Sequence, residues 1–208
     1  MEKQFSKYGR LSLLILPMFD SIYFRLDHPR ERVYNLVTSF DQRIPFIKFF
    51  ALPYIVWYPF VILTLAWLMK REPRLYVSTL IACLMGLALS YSFYILAQTT
   101  TPRPQIIGND WLTRIVLFIY HMDEPYNSFP SIHVLISFIL FQAGSKLKIP
   151  SPFFTGLVRV VAGIIILSTL FIKQHTLLDV AGGIGIGSFL FWLVEIVSQK
   201  IEQAIFLS

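Results

Sequence analysis

The chain has 208 residues, 55% of them hydrophobic and only 14% charged, with a mean hydropathy of +0.62. Soluble globular domains carry nearer a quarter charged residues, so this balance excludes an ordinary soluble protein and points to one integral membrane domain over 1–208. The net charge of +6 has no basic stripe or recognition motif beside it, which argues against a nucleic-acid partner; short basic loops facing anionic lipid account for it.

About 20 mostly apolar residues cross the roughly 30 Å hydrocarbon layer of a bilayer. On that measure the sequence predicts an all-α bundle of six transmembrane helices, at about Tyr8–Phe24, Phe46–Met69, Leu75–Ala97, Ser131–Ser145, Phe154–Ile172 and Leu178–Val197. Two N-terminal spans (about 8–70) thus precede a helical core at about 75–198. The first span follows Lys3, Lys7 and Arg10 and contains the apolar stretch Leu11–Phe19, a pattern shared with signal peptides. Asp20 comes directly after, with no small-residue cleavage site, so it reads as a retained span. Cys83, inside the third span, is the sole cysteine; it forms no intrachain disulfide and reads as a packed thiol.

Lys70, Arg71 and Arg74 crowd one turn, and Lys146 and Lys148 mark another. With the basic tail they define a cytoplasmic face, although Arg25, Arg30, Arg32 and Arg43 on the other side reduce the bias. Six spans put both termini on one side. The ends of the third and fifth spans and the starts of the fourth and sixth then meet on the non-cytoplasmic face of a multi-pass protein, expected in the cell membrane. Between Gln98 and Pro130, Trp111–Met122 is too short to cross and is bounded by Asp110 and Asp123-Glu124. It reads as an interfacial helix, an anchor or a lid. In the last span Gly183 and Gly187 have the small-xxx-small spacing of close helix contact. With Gly182 and Gly185 they suit packing rather than phosphate binding, since no strand precedes them.

The polar residues at the span ends carry the chemistry. An ionisable group at membrane depth is costly, and so marks a functional site by default. Pro130-Ser131-Ile132-His133 places Ser131 at a helix start, with Pro130 suited to the first turn; the N–H groups there and the Ser131 hydroxyl suit an anion, and His133 lies within the same turn. A capping serine beside an interfacial histidine is the plainer reading. His175 and Asp179 stand four apart, which puts both on one helical face, where the carboxylate can fix the imidazole tautomer and free the other nitrogen to attack. A local structural pair is the alternative. Arg103, between Pro102 and Pro104, suits bidentate phosphate binding or headgroup anchoring, and Lys173 is a snorkelling lysine or a second phosphate cation. Two histidines and one aspartate make a thin ligand set, so no metal is expected.

Arg103-Pro104, Pro130-Ser131-x-His133 and Ser168-Thr169-x5-His175-x3-Asp179 resemble the three signature blocks of the type 2 phosphatidic acid phosphatase superfamily. The resemblance covers roughly Leu75 to Leu193. The runs Asp41-Gln42-Arg43-Ile44-Pro45-Phe46 and Pro53-Tyr54-Ile55-Val56-Trp57-Tyr58 look like the branch related to inositol phosphorylceramide synthases. The resemblance implies that His175 forms a phosphohistidine, Asp179 orients it, His133 protonates the leaving oxygen, and Arg103 and Ser131 hold the phosphate, without metal or cofactor. It implies a lipid-phosphate substrate and membrane lipids as the surroundings. Leu96 stands where the family has a lysine, Thr169 where it has an arginine, and Ile132 where the common phosphatase form has glycine. Lys173 is the candidate to replace the missing charge. The expected activity is hydrolysis of a lipid phosphomonoester or pyrophosphate; transfer of a phosphorylated headgroup to an alcohol, or a lapsed site in a lipid-binding protein, are the alternatives.

Overall fold

The computed structural model describes residues 21–23, 25–147 and 152–206. The expected first span, with Lys3, Lys7, Arg10, Pro17 and Asp20, lies outside the described residues except for 21–23, and so does Lys148. Among the described residues the architecture is nearly all-α, with helix over 72% of the structure. The helices are α1 (Ser39–Arg43), α2 (Ala51–Ile55), α3 (Trp57–Arg71), α4 (Pro73–Leu96), α5 (Trp111–Met122), α6 (Ile132–Ala143), α7 (Pro152–Phe171) and α8 (Leu177–Phe206). The only named strands among them are β1 (Tyr34–Asn35) and β2 (Thr99–Thr100), paired in parallel.

Among the described residues four helical stretches are long and apolar enough to cross a membrane: Lys48–Arg71, Pro73–Leu96, Pro152–Phe171 and Leu177–Ile201. They match the expected second, third, fifth and sixth spans to within a few residues. The second is a broken rod, with a 3-10 turn at Lys48–Phe50 leading into α2, and α3 starting after Val56. Pro53 and Pro59 each lack the N–H that a continuous ladder would use there. Pro73 opens α4 from the first turn, where a missing N–H is harmless.

The expected fourth span is α6, a helix of 12 residues and therefore about 18 Å long, well short of the hydrocarbon thickness. It forms the middle of the bundle, packed against α3, α4, α7 and α8. Val134, Leu135, Ile139, Leu140 and Ala143 are all fully buried. Lipid tails are as apolar as leucine, so close van der Waals fit rather than exclusion from water must hold such a helix. Glycines provide that fit on α8: a Cβ on Gly183 would lie 2.9 Å from the Ser131 carbonyl oxygen, and one on Gly187 would lie 3.0 Å from that of Leu135.

Helix α5 has the bounds read from the sequence, Trp111–Met122, with the Asp110 side chain capping it through Thr113 N–H. Asp110 also holds Lys48 at 2.6 Å, tying α5 to the start of the second span. Val116 and Ile119 bury against Ala51, Tyr54 and Ile172, while Trp111 and Phe118 stay exposed. The last helix runs to Phe206, beyond the expected Val197.

Candidate active site

Four chain segments converge where α6 and α8 begin. Ser131 caps α6, its Oγ accepting from Val134 N–H at 3.4 Å, and its own N–H donates to the Asp179 carbonyl at 3.3 Å. Pro130 therefore sits before the cap, not in the first turn as the sequence suggested, and its carbonyl accepts from Tyr94 Oη at 2.7 Å. A threonine zip joins the segment after α4 to the segment before α6. Thr99 Oγ1 accepts from Phe129 N–H at 2.7 Å, Thr100 Oγ1 donates to the Pro125 carbonyl at 2.6 Å, and Thr101 Oγ1 donates to Ser128 Oγ at 3.1 Å. This zip draws Arg103 in from a segment well outside the bundle core.

Lys173 makes the second turn. Its φ of 58° is left-handed backbone, which reverses the chain after α7, and both Gln174 N–H and His175 N–H then return to the Thr169 carbonyl, at 3.0 and 3.1 Å. Thr176 and Asp179 start α8 reciprocally: Thr176 N–H donates to Asp179 Oδ2 at 2.7 Å, and Asp179 N–H donates to Thr176 Oγ1 at 3.3 Å. His175 thus lies ahead of the helix, and its neighbourhood with Asp179 comes from this turn rather than from a shared helical face. His175 Nδ1 lies 3.6 Å from Asp179 Oδ2, just beyond a normal hydrogen bond. Among the described residues neither that nitrogen nor Asp179 Oδ1 has a hydrogen-bond partner, and Asp179 is fully buried. Thr101 Oγ1, 3.5 Å from Oδ2, completes the surroundings of the carboxylate.

The His133 ring stacks between Tyr54 and Trp57, each with its centroid 4.3 Å away, and its centroid is 6.3 Å from that of His175. Two cavities flank the histidines. One, of about 290 Å³, is mostly apolar and lined by Tyr54, Trp57, Tyr91, Tyr94 and Phe118, among others, with His133 and His175 at its edge. The other, of about 430 Å³, is lined by Arg103, Lys173, Asp41 and Thr101, and His175 lines it too. His175 therefore borders both.

All six expected site residues fall in this region, but the two cations are already engaged. Arg103 Nη1 donates to the Tyr120 carbonyl at 2.8 Å, Nη2 donates to the Asp123 carbonyl, and the guanidinium lies 4.3 Å from the Tyr120 ring centre; its buried Nε has no partner among the described residues. Lys173 Nζ donates to the Asp41 carbonyl at 2.8 Å and to that of Ile44 at 2.5 Å. Burial pulls the Lys173 ammonium below its usual value, and Asp41 opposes that shift. For Asp41 burial acts upward, but hydrogen bonds from Thr38 and from Leu177 N–H, with Lys173 nearby, hold its carboxyl below the usual range. The Leu177 N–H bond, 2.7 Å to Asp41 Oδ1, sets the acid on the first turn of α8.

Several residues of the site escaped the sequence reading. Asp123 entered it only as the end of a helix, yet it gathers Tyr23 Oη at 2.6 Å, Tyr54 Oη at 2.5 Å and Gln174 Nε2 at 3.1 Å. Its partners lie 51 to 100 residues away, so no local spacing reveals them. The hint was a carboxylate directly after an amphipathic helix. Beside it, burial pushes the Asp27 carboxyl up to about 7, against a hydrogen bond from Glu124 N–H.

No group of three or more His, Cys, Asp or Glu among the described residues is arranged to hold a metal ion. No curated protein and no solved structure matches the chain. A family model described as the PAP2 superfamily matches residues 30–193, a range that holds both histidines, Asp179, Arg103, Lys173 and the aromatic clamp. The chain belongs to the PAP2 superfamily, a family of phosphatase-type enzymes.

Proposed function

We propose that this protein is a metal-independent membrane hydrolase that removes phosphate from a lipid phosphomonoester or pyrophosphate through a phosphohistidine on His175. The observation that carries the reading is the position of His175 between a cavity lined by cations and an aromatic cavity. An amphiphile with a phosphate head fits that division: the dianion toward Arg103 and Lys173, the apolar alcohol toward Tyr54, Trp57 and Phe118.

Displacement at phosphorus depends chiefly on alignment and on stabilising charge. Asp179 faces Nδ1 of His175, which leaves Nε2 to attack phosphorus. As the N–P bond forms and the P–O bond breaks, the leaving oxygen takes the bonding pair, and His133 supplies its proton. Water, activated by the now neutral His133, then attacks the phosphohistidine and releases inorganic phosphate. The reading includes the six-span topology expected from the sequence, with the site on the non-cytoplasmic face of the cell membrane and α5 in the interface beside the aromatic cavity.

A transferase reading shares the first half-reaction. The run Asp41–Phe46 favours it, because Asp41 binds the first turn of α8 and lines the cationic cavity beside His175; an acceptor alcohol would enter on the His133 side, where the leaving alcohol departs. Purified protein in detergent, given a panel of lipid phosphates with and without alcohol acceptors, separates the two. Phosphate released without an acceptor identifies the hydrolase, and an acceptor-dependent phospholipid identifies the transferase. No turnover of any kind supports a lapsed, lipid-binding site. His175→Ala and His133→Ala each reduce turnover by about 10²-fold or more; activity surviving both substitutions rejects the mechanism.

A further inference from the structure

His175 has Asp179 behind it, whereas no sequence motif supplies a partner for His133. We propose that Tyr54 and Asp123 form a second relay that positions His133 for proton transfer to the leaving group, an inference that rests on the phosphohistidine reading above. His133 Nδ1 lies 3.5 Å from Tyr54 Oη, and Tyr54 Oη lies 2.5 Å from Asp123 Oδ2. The phenol donates to the carboxylate, so its oxygen is left to accept, and the proton on His133 belongs on Nδ1. That fixes the tautomer and leaves Nε2 to exchange protons with substrate. The outer contact is long, as contacts around a general acid often are before substrate draws the site together.

Two further features support the relay. The His133 ring is clamped between the Tyr54 and Trp57 rings, at 4.3 Å from each, which restricts its rotation. Asp123 is itself fixed from three sides: Tyr23 Oη holds Oδ1 at 2.6 Å, Gln174 Nε2 holds Oδ2 at 3.1 Å, and Arg103 binds the Asp123 carbonyl. Through Gln174, the residue before His175, the carboxylate connects the chain segments of both histidines.

The proton count closes. The step requires His133 to hold protons on both nitrogens once the phosphate dianion is bound; burial favours the neutral ring, and the Asp123 charge behind the phenol opposes that. When the P–O bond breaks, Nε2 gives its proton to the departing oxygen, and the ring ends neutral with Nδ1–H still directed at Tyr54. Tyr54 and Asp123 are positioning residues in this scheme; neither touches the substrate phosphorus.

Leaving-group dependence tests it, because a departing nitrophenolate needs no proton and a departing alkoxide does. The full chain with Tyr54→Phe, which keeps the stacked ring, and with Asp123→Asn is assayed on a long-chain alkyl phosphate and on p-nitrophenyl phosphate. For each variant the single-turnover rate of leaving-group release, which precedes the water step, falls about tenfold or more for the alkyl phosphate with KM within about threefold, and stays within about threefold for the nitrophenyl ester. Equal losses on both substrates, an effect on KM alone, or wild-type kinetics overturns the relay. His133→Ala sets the benchmark: if it shows the leaving-group dependence and Tyr54→Phe does not, the relay alone falls. If His133→Ala slows leaving-group release in a single turnover from both esters alike, or His175→Ala still releases phosphate, the underlying reading falls and takes the relay with it.

Discussion

Lys173 carries two roles on one side chain. Its backbone, at φ 58°, makes the turn that delivers His175, and its ammonium donates to the carbonyls of Asp41 and Ile44. A charged hydrogen bond to a carbonyl is worth about 1.5–3 kcal/mol, and half-exposure lowers that figure. Lys173→Ala keeps a left-handed strain and loses both bonds, so it lowers the unfolding temperature in detergent by a few degrees. If the ammonium also turns toward phosphate in the cavity it shares with Arg103, the same variant raises KM and cuts kcat/KM about tenfold or more. Kinetics near wild type with the lowered melting temperature assign Lys173 to the tether alone and leave Arg103 as the phosphate cation. Sequence reading found Lys173 because a cation was missing at Thr169; it could not find the carbonyls, which belong to residues 129 and 132 positions away.

Among the elements, the long apolar spans and the amphipathic α5 were legible because hydropathy and periodicity are properties of neighbouring residues. What joins the elements was not. Thr99–Thr101 reads as polar loop, yet it zips the ends of α4 and α6 together; His175 and Asp179 read as a helical pair, yet a reversing turn precedes the helix. The Gly183 and Gly187 spacing was readable as close packing, and the packing partner proves to be α6, the helix that carries His133. A Cβ at Gly183 would meet the Ser131 carbonyl at 2.9 Å and Val134 at 3.0 Å, one at Gly187 would meet the Leu135 carbonyl at 3.0 Å, and one at Gly185 would meet nothing within 4 Å. Gly183→Ala therefore separates the first turns of α6 and α8, and misalignment of a reacting pair by a fraction of an ångström already costs about tenfold in kcat. Gly187→Ala destabilises to a similar degree with a smaller loss of turnover, since it acts one turn farther from the histidines. Gly185→Ala is neutral or stabilises by up to about 1 kcal/mol, the usual gain of alanine over glycine in a helix. Thermal unfolding and steady-state kinetics of the three variants check this order; equal behaviour of Gly183→Ala and Gly185→Ala removes the close contact as the device that aligns the site.

At the scale of the whole molecule, function depends on which ends of the helices face which water phase. Helix α4 has 24 residues and so a length of about 36 Å, enough to separate its ends by a full hydrocarbon layer. Lys70, Arg71 and Arg74 lie at its start, and the loop holding Arg103 follows its end. The basic turn predicts a cytoplasmic start, which would put Arg103, His133 and His175 on the opposite face whatever substrate they take. The sole cysteine, Cys83, is buried, which makes the native chain its own unreactive background for labelling. Ile107, 92% exposed in the Arg103 loop, and Gln203, exposed near the far end of α8, are neutral positions that leave the basic turns untouched. In intact cells a membrane-impermeant maleimide labels Ile107→Cys directly and Gln203→Cys only after permeabilisation. The reverse pattern puts the active site on the cytoplasmic face without disturbing its geometry, as an odd number of spans before α4 would require. Labelling of both in intact cells means that α8 does not carry its ends to opposite sides, which removes the topology from which the face of the site was expected.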